Sequence, residues 1–212
     1  MIKRSVVMGI CAAFALIASN VMAVEKGDWL IRAGATNINP DSDNGDLYLW
    51  KLGPGLPTTA EADVDDAWGF TFNISYFLSN NIAIELLAAA PYDHDFEVKG
   101  TGITGSTKHL PPTLSVQYHF NPAGKFKPYI GAGINYTTFF DEDLNVGLNV
   151  ELDDSWGLAG QVGVDMMFNE HWFGNVDVRY MSIKSDIEVA GVGIGTVDIN
   201  PWLFGVSAGY RF

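Results

Sequence analysis

At 212 residues the chain makes one domain, or two small ones at most. Its formal net charge of −13 argues against nucleic-acid binding, which needs basic patches. It has one cysteine, and past its first residues no apolar run approaches the length of a transmembrane helix, so a disulfide framework and a helical membrane span are both excluded.

The first element is a secretory signal. In MIKRSVVMGICAAFALIASNVMA, Lys3 and Arg4 form the charged start, Val6 to Ala18 the apolar stretch, and Val21 and Ala23 the small-residue cleavage pattern. Cleavage after Ala23 leaves 24–212 as a single mature domain. It removes Lys3 and Arg4, which takes the net charge from −13 to −15, and it removes Cys11. Cys11 lies inside the apolar stretch, not at the cleavage point where a lipoprotein would need it.

Period-two alternation then recurs along the chain without a helix between. The predicted strands are 29–36, 67–77, 82–90, 110–120, 127–137, 156–168, 172–183 and 197–212. Eight strands suit a closed antiparallel barrel. The short connections 78–81, 121–125 and 169–171 are rich in turn formers. The long ones, 38–66, 91–109, 138–155 and 184–196, hold most of the acidic residues, among them Asp43, Asp46, Asp65, Asp66 and Asp141. Short turns at one end and long loops at the other are the asymmetry of an outer-membrane barrel.

In Trp68-Gly-Phe-Thr-Phe-Asn-Ile-Ser-Tyr76, large apolar residues alternate with small polar ones. In water the apolar face would turn inward; in lipid the assignment inverts. Aromatic residues decide it, because they fall into two rows. Tyr76, Tyr118, Phe120, Phe168, Tyr210 and Phe212 mark the short-turn rim, and Trp68, Tyr136, Trp156, Tyr180 and Trp202 mark the long-loop rim. Two girdles around an aliphatic band predict a bilayer-spanning barrel with the apolar face outward. The inward charges are then Arg32, Glu85, Asp165, Asp177, Arg179 and Arg211, and pairing inside a narrow barrel is their simplest role.

The segments AIELLAAAPY (83–92), KHLPPTLSVQY (108–118), KPYIGAGINYTTFFD (127–141), DSWGLAGQVGVD (154–165) and NPWLFGVSAGYRF (200–212) closely resemble the OmpW family of outer-membrane proteins. The resemblance spans essentially the whole chain. It implies an eight-stranded barrel in the Gram-negative outer membrane, with a narrow hydrophobic lumen that carries small hydrophobic molecules. It also links the family to stress responses and to receptor roles for bacteriocins or phage. The family's apolar gate, an inward leucine and an inward tryptophan, falls on Leu87 and Arg179. Either Arg179 pairs with Glu85 or Asp177, or the constriction is more polar here.

Pro111 and Pro112 sit near the outer end of the fourth predicted strand. Proline cannot donate to a ladder, so the pair marks a ragged start or a break in the wall for sideways exit. His94, within Asp93-His94-Asp95, reads as a solvated loop residue and not a metal ligand, and His119 and His171 read as residues of the inner membrane interface. No nucleophile with a base in reach stands out, so no catalytic residue is assigned and no enzyme is expected. The apolar residues Leu47–Trp50 and Leu144, Val146, Leu148 and Val150 suggest short strand extensions or a lid above the lumen. The expected protein is a monomer without cofactor. Its partners are outer-membrane lipid and lipopolysaccharide, small hydrophobic solutes, and the barrel-assembly machinery. The alternative is a structural barrel whose acidic loops face an external partner.

Overall fold

The computed structural model describes residues 23–41, 47–54 and 57–212. Residues 1–22 of the signal, and Asp43 and Asp46, lie outside the described residues. In chain order the strands are β1 (Trp29–Asn39), β2 (Ala62–Val64), β3 (Ala67–Phe77), β4 (Ile82–Ala89), β5 (Tyr92–Val98), β6 (Ile103–Leu110) and β7 (Thr113–His119). They continue with β8 (Phe126–Leu144), β9 (Val150–Leu152), β10 (Ser155–Met167), β11 (Trp172–Met181), β12 (Lys184–Val189), β13 (Val192–Asp198) and β14 (Trp202–Arg211).

Eight of them close a barrel in the order β1-β3-β4-β7-β8-β10-β11-β14, every pair antiparallel, with β14 returning to β1. Closure leaves no unpaired edge in the ring, which a bilayer demands because lipid offers no hydrogen-bond partners. The other strands stand above the long-loop end. β6, β5 and β2 pair outward from the upper half of β8, while β9, β12 and β13 form a separate three-stranded sheet.

Alternation sets the two faces. On β3, Trp68, Phe70 and Phe72 are exposed, while Thr71, Asn73 and Ser75 are buried in the lumen. Trp68 and Trp156 are 74% and 71% exposed, and between the girdles Ile84, Leu86, Val116, Ile134, Leu158 and Val206 form a continuous apolar belt. A soluble monomer rarely exposes a belt of this kind, whereas lipid requires it. The girdle rings pack in pairs. At the short-turn rim these include Tyr118–Phe120 and Tyr210–Phe212, and at the outer rim Tyr136–Trp156 and Tyr180–Trp202. Trp29, Trp172 and Phe126 join the inner row, which the sequence reading left without them.

Three differences from the sequence-based expectation matter most. The fourth barrel strand begins at Thr113, because Pro111 and Pro112 end the ladder before it. The eighth is two strands: β13 ends at Asp198, Asn200 takes a positive φ of 36°, and β14 starts after Pro201. The long connections hold six short strands, a 3-10 turn at Leu49–Leu52 and the extension of β8 to Leu144. Their alternating apolar residues pack on each other above the membrane instead of facing water.

Candidate functional site

The lumen has three layers. At the short-turn end Val24, Leu30, Phe77, Ala83, Met167 and Phe173 form a buried apolar plug. The Val24 amide donates to the Pro122 carbonyl (2.9 Å), drawing the segment before β1 across this end. Lys127 lies buried beside it and its ammonium donates to the carbonyls of Pro122 and Gly124, capping the turn from inside. Arg211 pairs with Asp28 at the rim (2.8 Å).

The middle layer is ionic. Arg32 on β1 donates from Nε and Nη2 to both oxygens of Asp165 on β10 (3.0 and 2.8 Å), and from Nη1 to Ser75 (2.8 Å) and Glu85 (3.2 Å). The other Glu85 oxygen accepts from Arg179 (2.7 Å) and Gln161 (3.1 Å). Arg179 also donates to Asp177 (2.7 Å), and Asn175 donates to Asp165 (2.8 Å). β4 and β11 stand opposite each other in the ring, so the Glu85–Arg179 pair crosses the whole lumen. Charge is balanced: Arg32, Arg179, Lys127 and Arg211 against Glu85, Asp165, Asp177 and Asp28. Charges this deep hold only when paired or hydrogen-bonded; the three arginines are ion-paired, with Arg179 Nη2 left over, and Lys127 donates to backbone carbonyls. Small inward residues make room for rings: a Cβ on Gly163 would lie 2.5 Å from the Tyr129 ring.

The outer layer is apolar. Leu87, 2% exposed, packs in one cluster with Ile38, Tyr92, Met181 and Leu203. Gly69 has no side chain because the Tyr92 ring lies over it, where a Cβ would sit 2.0 Å away. Above this floor the extension strands enclose a cavity of about 80 Å³. Its walls are apolar, with Leu49, Ile103, Leu144, Val150, Ile187 and Ile194 joined by the rings of Phe96 and Phe139. Only His94, Thr107 and His109 bring polar atoms to it.

Next to the cavity the wall has a seam. The β4–β7 ladder stops at Leu87↔Thr113, and the β5–β6 ladder starts at Tyr92↔His109. Between them stand Ala88 to Pro91 on one edge and Leu110 to Pro112 on the other. Pro91, Pro111 and Pro112 have no N–H to close the gap. On its far side the second edge stays tied to β8, where the Pro112 carbonyl accepts from the Tyr136 amide (3.0 Å).

Arg179 pairs with Glu85 and Asp177, as one of the two expected alternatives had it, while its Nη2 has no partner among the described residues, and Leu87 and residue 179 do not form an apolar gate. Several sequence-based expectations change. The mid-lumen is polar and bridged, not a narrow hydrophobic channel; apolar space lies only above it among the described residues. His94 is not solvated: it is 3% exposed, stacked on His109 at 4.9 Å, and burial lowers its pKa against the pull of Asp65, Asp93 and Asp66. Burial pushes His109 down to about 3. His119 points into the barrel and stacks on Tyr129, whereas His171 stacks on Tyr210 at the rim. No three-residue metal cluster occurs among the described residues. Pro91, Thr107 and Lys127 escaped the sequence reading. Of these only Pro91 left a signal, as a third proline at a strand boundary.

Comparison with known proteins agrees with this architecture. Residues 25–212 match the OmpW family. Outer membrane protein W of Vibrio cholerae serotype O1 is 39% identical over 99% of this chain and 100% of its own. Among solved structures, the outer membrane protein OprG of Pseudomonas aeruginosa superposes with a TM-score of 0.81 at 36% identity, covering 91% of this chain and 99% of that one. Outer Membrane Protein W of Escherichia coli superposes with a TM-score of 0.60 at 39% identity, covering 89% and 99%. The relatives are outer-membrane barrel proteins of Gram-negative bacteria, and this chain belongs to the OmpW family.

Proposed function

We propose that the protein passes small hydrophobic solutes passively into the outer membrane, taking them up in the outer apolar cavity and releasing them sideways through the proline-edged seam. One observation carries this: apolar space sits directly above a lumen that ion pairs bridge from wall to wall. A solute entering the cavity exchanges water for apolar surface at roughly 25 cal/mol per Å². The ionic layer beneath offers it nothing, because burying an apolar molecule there would break paired charges. The seam between Ala88–Pro91 and Leu110–Pro112 lies just beyond Leu87, where the β4–β7 ladder ends, and would release the solute into lipid. The protein acts as a monomer, without cofactor or energy source.

The test is uptake of a small apolar fluorescent probe by cells with and without the protein. Val150→Trp, which fills the cavity, Leu87→Trp, which raises its floor, and a Pro111→Thr/Pro112→Thr double variant, which adds donors to the seam, run beside it at equal folded amounts. The native chain should speed uptake, and each variant should slow it. Equal rates with and without the protein would sink the proposal. Loss in the cavity variants but not in the proline variant would remove the sideways exit alone.

A further inference from the structure

The cavity is almost wholly apolar, yet it keeps two polar atoms with nothing to bond. His94 and Thr107 face each other across the β5–β6 ladder, and both side chains line the cavity. They are 3% and 7% exposed, and His94 Nε2 and Thr107 Oγ1 lack any hydrogen-bond partner among the described residues. Buried polar groups are ordinarily paired, so two orphans side by side in a ligand-sized space call for a ligand.

Their chemistry is specific. His94 Nδ1 lies 2.7 Å from the Asp65 carbonyl oxygen, which can only accept. Nδ1 therefore carries the proton, and in the neutral ring Nε2 is an acceptor. Burial keeps the ring neutral, and stacking on His109 at 4.9 Å holds its orientation. Thr107 Oγ1, on the residue paired with His94 across the ladder, can donate. A group that satisfies both must donate one hydrogen bond and accept another. A hydroxyl does this; an ether, a ketone or a plain hydrocarbon does not.

We infer that the cavity selects small apolar molecules bearing one hydroxyl, alcohols and phenols, whose O–H donates to His94 Nε2 and accepts from Thr107 Oγ1. This rests on the proposal that the cavity receives solutes. Leu49, Val150 and Ile194 would hold the hydrocarbon body, and the histidine–threonine pair would fix its head. A site built to bond a hydroxyl discriminates strongly against analogues lacking it, because its own polar atoms are then left unpaired.

The test compares p-cresol with its methyl ether and with p-xylene, three probes of similar shape. Binding is measured by nuclear magnetic resonance titration of the full chain in lipid nanodiscs, against empty nanodiscs. Apolarity alone favours p-xylene and the ether over p-cresol. The native protein should instead bind p-cresol at least about fivefold tighter than the ether, with a shift of the His94 Nε2 resonance. His94→Phe and Thr107→Val should each erase that preference. Thr107→Val keeps the side-chain shape and carries the comparison if His94→Phe fails to fold. An affinity order that follows apolarity in the native protein, or a preference that survives both variants, would overturn the hydroxyl assignment and leave the apolar-cavity proposal standing. No binding of any probe would overturn both.

Discussion

Glu85 touches Arg32, Ser75, Arg179 and Gln161, and so joins four walls of the barrel through one carboxylate. Its burial is complete, as is that of Arg32. Replacing it with Ala leaves Arg32 leaning on Asp165 and Arg179 on Asp177 alone. Removing one member of a buried ion pair costs about 3–5 kcal/mol, since the remaining charge stays desolvated. Glu85→Ala should lower the urea midpoint of refolding into lipid vesicles by a corresponding amount. A change below about 1 kcal/mol, the range of exposed pairs, would mean that water reaches the network and that the lumen is not sealed. The inward direction of Glu85, Arg32 and Asp165 was legible from alternation. Their partnership was not, because Arg32 and Asp165 stand 133 residues apart and meet only when the ring closes.

The outer extension, built from β2, β5, β6, β9, β12 and β13, was the least legible element. Its strands are as short as three residues, too few for alternation to stand out. The apolar residues of the first and third long connections did hint at strand extensions, but nothing local paired β9 with β12 or placed His94 inside. That burial makes the extension sensitive to acid. His109 in the packed extension is held down to about 3 by burial first and by His94 second. In an opened extension it titrates near the usual value of about 6.5. As pH falls below that value the opened form takes up a proton that the packed form refuses, so packing weakens. At pH 5 this amounts to about 2 kcal/mol, and the loss grows until the pH reaches the depressed value. His94 shifts the same way and adds to it. Amide spectra at pH 7 and pH 5 should show β5 and β6 losing dispersion while β10 and β11 stay unchanged. Identical spectra for the extension at both values would show that the histidines are not buried as described.

At the scale of the whole molecule, the proposed route keeps apolar solutes apart from ions, which a water-filled barrel would mix. The alternating strands, the girdles and the short and long ends were all readable from the sequence, because lipid imposes them residue by residue. The closure of the lumen was not, because it depends on Val24 crossing the inner end and on side chains from opposite walls meeting in the middle. An ion entering this lumen would meet balanced, already paired charges and then the apolar plug of Leu30, Phe77, Met167 and Phe173. It would have to shed water without gaining a partner, at a cost of several kcal/mol. On the proposed route an apolar solute meets no such barrier, since that route ends at the Leu87 floor. The native protein in a planar bilayer should therefore show no steady ionic conductance, even in preparations whose cells take up the apolar probe faster. Stable conductance steps from the native chain would place a water path through the ionic layer. Solutes would then have a way down the barrel axis, and the seam beside Pro91, Pro111 and Pro112 would lose its reason to be the exit.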